Sequence, residues 1–231
     1  MGVARTFRAL ELYDILGNLI PGSTFLLMLA VIFEVEAYLT LPKATVTIGV
    51  FLIVAFVLGH VVQAVASKLE GKPTLFGKVI RASKGEMVED VPIPITDVEE
   101  AIWPMLKHKF GLSDDFDNYG EMFRLLLSYI ETTPATRALR FQALHSFHRS
   151  MWAVWYLVIC SVVIAAVLKG GEVVAVQSWS VLGLTSIVAL IGIQVFKWRK
   201  NKFNRLFIQY AVVDFYSDQI EEYKHLNRPA K

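Results

Sequence analysis

TVTIGVFLIVAFVLGHVVQAVA, residues 45–66, runs without a single Asp, Glu, Lys or Arg. As a helix at 1.5 Å per residue it is about 33 Å long, enough to cross a hydrocarbon core of about 30 Å. Lipid offers no hydrogen bonds to a bare backbone, so a helix is the expected conformation. Three more stretches read the same way: Leu19–Leu41, Met151–Leu168 and Trp179–Phe196. Of the 23 Lys and Arg residues, only Lys43 and Lys169 fall in the two short connections between these stretches. That asymmetry predicts cytoplasmic N- and C-termini and a cytoplasmic central segment, in a multi-pass protein of the cell inner membrane. The expected fold class is an all-α integral membrane protein: four transmembrane helices in two hairpins, with a small cytoplasmic helical bundle.

Composition agrees. Hydrophobic residues make up 55% of the 231, and mean hydropathy is +0.48, high for a soluble domain. A net charge of +2 gives no reason to expect nucleic acid as a partner. The basic residues flank membrane segments, where anionic headgroups account for them, so the lipid bilayer is the first expected partner. The single cysteine, Cys160, lies inside an apolar stretch and excludes an intramolecular disulfide. The first apolar stretch is too long for a cleaved signal peptide and is expected to be a retained span. Met1-Gly2 with Thr6 formally fits an acylation pattern, but four spans gain little from an acyl chain.

Three segments follow: 1–67, an N-terminal amphipathic helix and hairpin 1; 68–133, a cytoplasmic connector with short helices; and 134–231, hairpin 2 with long cytoplasmic extensions. In the first, Leu10, Tyr13, Leu16 and Gly17 share a side, and Pro21-Gly22 kinks the start of span 1. Tyr38 marks the outer interface, and Leu41-Pro42-Lys43 makes a tight turn. Lys72–Glu100 is rich in Gly, Pro and charge and reads as irregular. Thr96-Asp97-Val98-Glu99 forms a capping box for a helix ended by Gly111, and another helix is expected over 116–131. Thr133-Pro134 starts a helix of about 35 residues that becomes span 3. Span 4 carries the basic aromatic anchor Lys197-Trp198-Arg199-Lys200 and continues as a helix. Its stripe Phe203, Phe207, Tyr210 needs a partner, for which Phe141, Leu144 and Phe147 and the central helices are the natural choice. A soluble cytoplasmic protein is the other partner this stripe would suit.

Candidate sites are few. Glu34 and Glu36 stand near the outer end of span 1 and suit either an interfacial pair or the acidic mouth of an oligomeric pore. Ala55, Gly59, Gln63 and Ser67 recur every four residues in span 2, a stripe suited to close helix packing; His60 and Gln63 are expected to face protein. Counting along the helices puts His60 and Glu34 about 15 Å apart in depth, too far for a metal or catalytic pair. His145 and His148 share a helix face without a third ligand and read as interfacial residues. Ser113–Gly120 resembles a calcium loop, but Tyr119 and Leu126 stand where ligands are required, so its carboxylates are expected to cap the next helix. No phosphate loop, dinucleotide fingerprint, GxSxG or HExxH is present. The reading is a non-enzymatic protein without a cofactor or a metal.

YDILGNLIPG (13–22) and GHVVQAVASKLE (59–70) resemble a loose group of uncharacterised small four-span prokaryotic membrane proteins. They share an aromatic-Asp-x-Leu-Gly opening, an Ile/Val-Pro-Gly start of span 1 and Gly-His-x-x-Gln in span 2. The resemblance covers hairpin 1 and, elsewhere, only the layout; it implies no activity. Some small multi-span proteins serve in phage defence, where oligomers breach the inner membrane. That likeness of size and topology implies a homo-oligomeric, channel-forming or membrane-perturbing effector. The alternative expectation is an anchor or scaffold that presents its cytoplasmic bundle.

Overall fold

The computed structural model describes residues 15–34, 44–70, 75–91, 96–133, 137–171 and 175–226. The expected N-terminal helix before Ile15, Glu36, Tyr38, the Leu41-Pro42-Lys43 turn and Pro134 lie outside them, as do the side chains of Thr96, Asp97 and Glu99. The described residues form seven helices and no strand: α1 (Ile20–Ile32), α2 (Ala44–Glu70), α3 (Leu75–Ser83), α4 (Thr96–Lys109), α5 (Tyr119–Thr132), α6 (Arg137–Gly170) and α7 (Trp179–Leu226). A π-helical turn, Ile15–Leu19, leads into α1. Pro21 sits at the start of α1, where its missing N–H costs no helical hydrogen bond. Four helical stretches are long and apolar enough to cross a membrane: Ile15–Ile32, Thr47–Glu70, Arg137–Gly170 and Trp179–Ile220. The fold is thus the all-helical, four-span class read from the sequence, with α6 and α7 at 34 and 48 residues.

The chain divides into two compact units. Of the described residues, one unit takes those from 75 to 142 and from 202 to 226, the other those from 15 to 70 and from 143 to 201. The division does not follow the three sequence segments, because α6 and α7 each supply residues to both units.

In the first unit, α3 lies inside the segment expected to be irregular. Phe76, Val79 and Ile80, spaced i, i+3, i+4, are buried while Arg81 is exposed. They join Ile102 and Leu106 of α4, Met122 and Leu126 of α5, and Ile208 and Phe215 of α7 in one core. Pro104 interrupts α4 and leaves the Glu100 carbonyl without its helical donor. Ser83 repairs the break: its Oγ donates to the Glu100 carbonyl at 3.4 Å and accepts from the Trp103 N–H at 3.2 Å. Helix α4 ends two residues before Gly111, whose φ of 61° is the left-handed conformation that glycine adopts freely. Helix α5 begins at Tyr119, capped by Asn118 Oδ1, which accepts from the Glu121 N–H at 3.2 Å. Asn118 takes the capping role expected of the neighbouring carboxylates; Asp117 is held instead by Lys84.

In the second unit, α1 and α2 pack backbone to backbone. A Cβ on Gly22 would stand 1.8 Å from the Ala55 carbonyl oxygen, and one on Gly59 would stand 2.0 Å from that of Asn18. Only glycine at both positions permits this approach. Trp155 of α6 lies against Gly192 of α7 in the same way, its indole 2.6 Å from where a Cβ would be. At one end Lys169 Nζ donates to the carbonyls of Val176 and Gln177 at 2.9 and 2.8 Å, and the Gln177 N–H donates to that of Ile32. One of the two exceptional basic residues thus holds the α6–α7 connection closed.

Candidate functional site

Of the stripe Ala55, Gly59, Gln63 and Ser67, only Ala55 and Gly59 are fully buried. Ala55 lies against Gly22 of α1, and Gly59 against Asn18 of the π-helical turn that leads into it. Gln63 is half-buried and donates from Nε2 to Ser146 Oγ of α6 at 3.3 Å, which ties α2 to span 3. Ser67 is exposed and its hydroxyl returns to the Gln63 carbonyl at 2.9 Å. His60 stands apart from the others. It points outward from α2, with the edge of its ring against Phe56 at 4.7 Å between centroids. A turn of about 100° per residue separates it from Gly59, so both cannot face α1.

Glu34 follows the end of α1 with φ of 46° and is half-buried. A non-glycine residue in this region marks a turn, so the helix does not continue through Glu34. The stripe Phe203, Phe207, Tyr210 is covered within the first unit. Phe141 stacks on Tyr210 at 4.8 Å and on Phe203 at 6.3 Å, and Phe207 meets Phe123 edge-on at 6.3 Å. Phe147, expected to complete the facing stripe, packs instead in the second unit against Phe196. His148 accompanies it, with Nδ1 2.7 Å from the Leu144 carbonyl.

A cluster that sequence reasoning missed sits in the second unit. Glu70 closes α2, His145 and Arg149 lie one turn apart on α6, and Lys200 follows the apolar part of α7. Lys200 Nζ is 2.9 Å from Glu70 Oε1; Arg149 Nη1 and His145 Nε2 are 3.4 and 3.5 Å from Oε2. All four side chains are largely buried, with 11–18% of their surface exposed. His145 Nδ1 also lies 3.2 Å from the Lys200 carbonyl. Both neighbours of the imidazole are acceptors, so the ring satisfies both at once only with a proton on each nitrogen. Lys200 Nζ stands 4.8 Å from the centre of the Trp152 ring, a cation–π contact. Three helices that the chain separates by 75 and 130 positions therefore meet on one carboxylate. Single residues at the ends of apolar stretches read as interfacial anchors, and only the convergence of α2, α6 and α7 shows otherwise.

Among the described residues no group of three or more His, Cys, Asp or Glu is placed to hold a metal. The chain matches no known protein family, no functionally characterised protein and no solved structure.

Proposed function

We propose that the protein is a non-enzymatic, multi-pass protein of the cell inner membrane that anchors a folded helical unit on the cytoplasmic side. One observation carries the reading: the chain builds two compact units, and the same pair of long helices, α6 and α7, supplies residues to both. One unit has four spans' worth of apolar helix, the other a core of its own centred on Ile102, Leu126 and Phe215. Such sharing ties a soluble unit to the bilayer through the chain of α6 and α7. The basic-residue asymmetry supports cytoplasmic termini.

A second reading, a homo-oligomeric channel-forming or membrane-perturbing effector, is favoured by His60. A polar ring exposed on an otherwise apolar span is costly in lipid and is relieved by a second copy or a water-filled path. Membrane potential in cells producing increasing amounts of the protein separates the two. An anchor leaves the potential unchanged at every level. Depolarisation that is lost in a Glu34→Gln/Glu36→Gln variant, or in His60→Leu, replaces the anchor reading with the effector.

A further inference from the structure

The cluster around Glu70 is unbalanced. With His145 neutral, Arg149 and Lys200 bring two positive charges against one carboxylate, an excess of one; a protonated His145 adds another. Excess charge in a largely buried place is unfavourable unless something of opposite sign joins it. The hydrogen-bond inventory is unbalanced in the same sense. Arg149 Nε and Trp152 Nε1 are buried and donate to nothing, and the hydroxyl of Ser150, between them in sequence, is also without a partner. Trp152 is 9% exposed, and Lys200 Nζ stands over its ring. The unmet donors thus sit on Arg149, one of the two cations, and on Trp152, over whose ring the other cation stands, while the cluster's one acid already has both oxygens engaged.

We propose that this cluster binds the phosphate of an anionic phospholipid headgroup. The inference rests on the membrane reading above. Glu70 ends a span, and Lys200 lies four residues beyond Phe196, where the apolar part of α7 stops, so the cluster stands at headgroup depth. A guanidinium meets phosphate through paired N–H groups; rotation of Arg149 about its stem frees Nε together with an Nη for that fork. Lys200 supplies a second charge at Nζ. Glu70 holds the cations in place and competes with the phosphate for them, so its removal strengthens phosphate binding. An ion-pair lock with no ligand behaves in the opposite way, because every member is then needed.

The test uses the full-length protein in nanodiscs of phosphatidylcholine, with or without phosphatidylglycerol of the same acyl chains. Thermal unfolding and native mass spectrometry read stability and retained lipid. Phosphatidylglycerol is expected to raise the unfolding temperature and to be retained, and Lys200→Gln or Arg149→Gln to weaken its retention about tenfold or more. Arg149→Lys, which keeps the charge and loses the fork, should retain less than the parent, whereas Glu70→Gln should retain as much or more. Equal behaviour in the two lipid mixtures overturns the proposal, as does loss of the lipid preference in Glu70→Gln. Stabilisation by inorganic phosphate alone in phosphatidylcholine overturns the lipid assignment in favour of soluble phosphate. Protein that fails to insert into nanodiscs at all sinks the membrane reading, a result distinct from inserted protein without a lipid preference.

Discussion

At the scale of single residues, stability concentrates where backbones touch. Gly59 admits the Asn18 carbonyl at a distance that no side chain allows, so Gly59→Leu must force α1 and α2 apart. Overpacking of this kind costs about 3 kcal/mol or more. Leu58→Ile, conservative and one step round the helix, is expected to stay within about 1.5 kcal/mol. Unfolding in detergent measures both, and equal tolerance would show that the α1–α2 contact does not carry the fold. Ser83 is a second such residue, for a different reason. Its hydroxyl donates to the Glu100 carbonyl that Pro104 leaves without a helical donor and also accepts from the Trp103 N–H, so Ser83→Ala should destabilise the first unit by about 1–3 kcal/mol. Ser83→Thr, which keeps the hydroxyl, should recover part of that loss; if Ser83→Ala is neutral, water serves the Pro104 break equally well. The close approach at Ala55 and Gly59 was legible in the four-residue spacing of α2, although Ser67, on the same stripe, is exposed. The Pro104 repair was not, since nothing local to Ser83 points 20 residues ahead.

Among elements, the turn after α3 and the start of α5 are joined by charge and ring contacts. Lys84 donates to Asp117 and, at 3.1 Å, to Tyr119 Oη, and its ammonium lies over the rings of Trp103 and Tyr119 at 4.8 and 4.6 Å. Burial disfavours the charged ammonium, but the bonds to Asp117 and Tyr119 outweigh it and hold Lys84 above its usual 10.5. The same bond holds the Asp117 carboxyl below its usual 3.8. The signs follow. A depressed acid contributes above its unfolded pKa and loses that contribution as pH falls through the folded value. A raised base contributes below its unfolded pKa and loses it as pH rises through the folded value. The tie therefore holds constant between about pH 5 and about pH 9. The unfolding temperature of Asp117→Asn relative to the parent should differ by a fixed amount across that window, and the gap should shrink as pH falls below about 3.8. A gap that changes within the window would assign the titration to another group. Screening by salt should narrow it, because Asp117 is exposed. Of the elements, the long apolar helices were readable from length and charge alone. Helix α3 was hidden because its glycine, lysine and arginine masked a nine-residue amphipathic pattern, too short to stand out against a charged connector.

For the whole molecule, the decisive question is which side of the membrane each connection faces. The four apolar helices are a property of composition and survive in the structure; orientation depends on the basic residues. The two exceptions differ in kind. Lys43 lies outside the described residues, whereas Lys169 is engaged by two backbone carbonyls and lies 5.9 Å from the centre of the Trp179 ring. That ammonium serves the α6–α7 connection, and two exceptions among 23 basic residues leave the bias of the rest intact. On the proposed reading the termini are cytoplasmic, and the Glu70 cluster would then stand at the inner headgroups. Cysteines introduced singly on a Cys160→Ser background test this in intact cells with an impermeant thiol reagent. Positions 43 and 171 should label from outside, and positions 85 and 225 only after lysis. Position 85 is informative because Gly85 is a left-handed residue in open space, so a bulky reagent meets no steric barrier there; a parallel Gly85→Ala melt controls for strain from the added Cβ. Labelling of 85 in intact cells with protection of 171 would invert the topology. It would move the first unit outside and place the Glu70 cluster among outer-leaflet headgroups, where its phosphate would have to come from that leaflet.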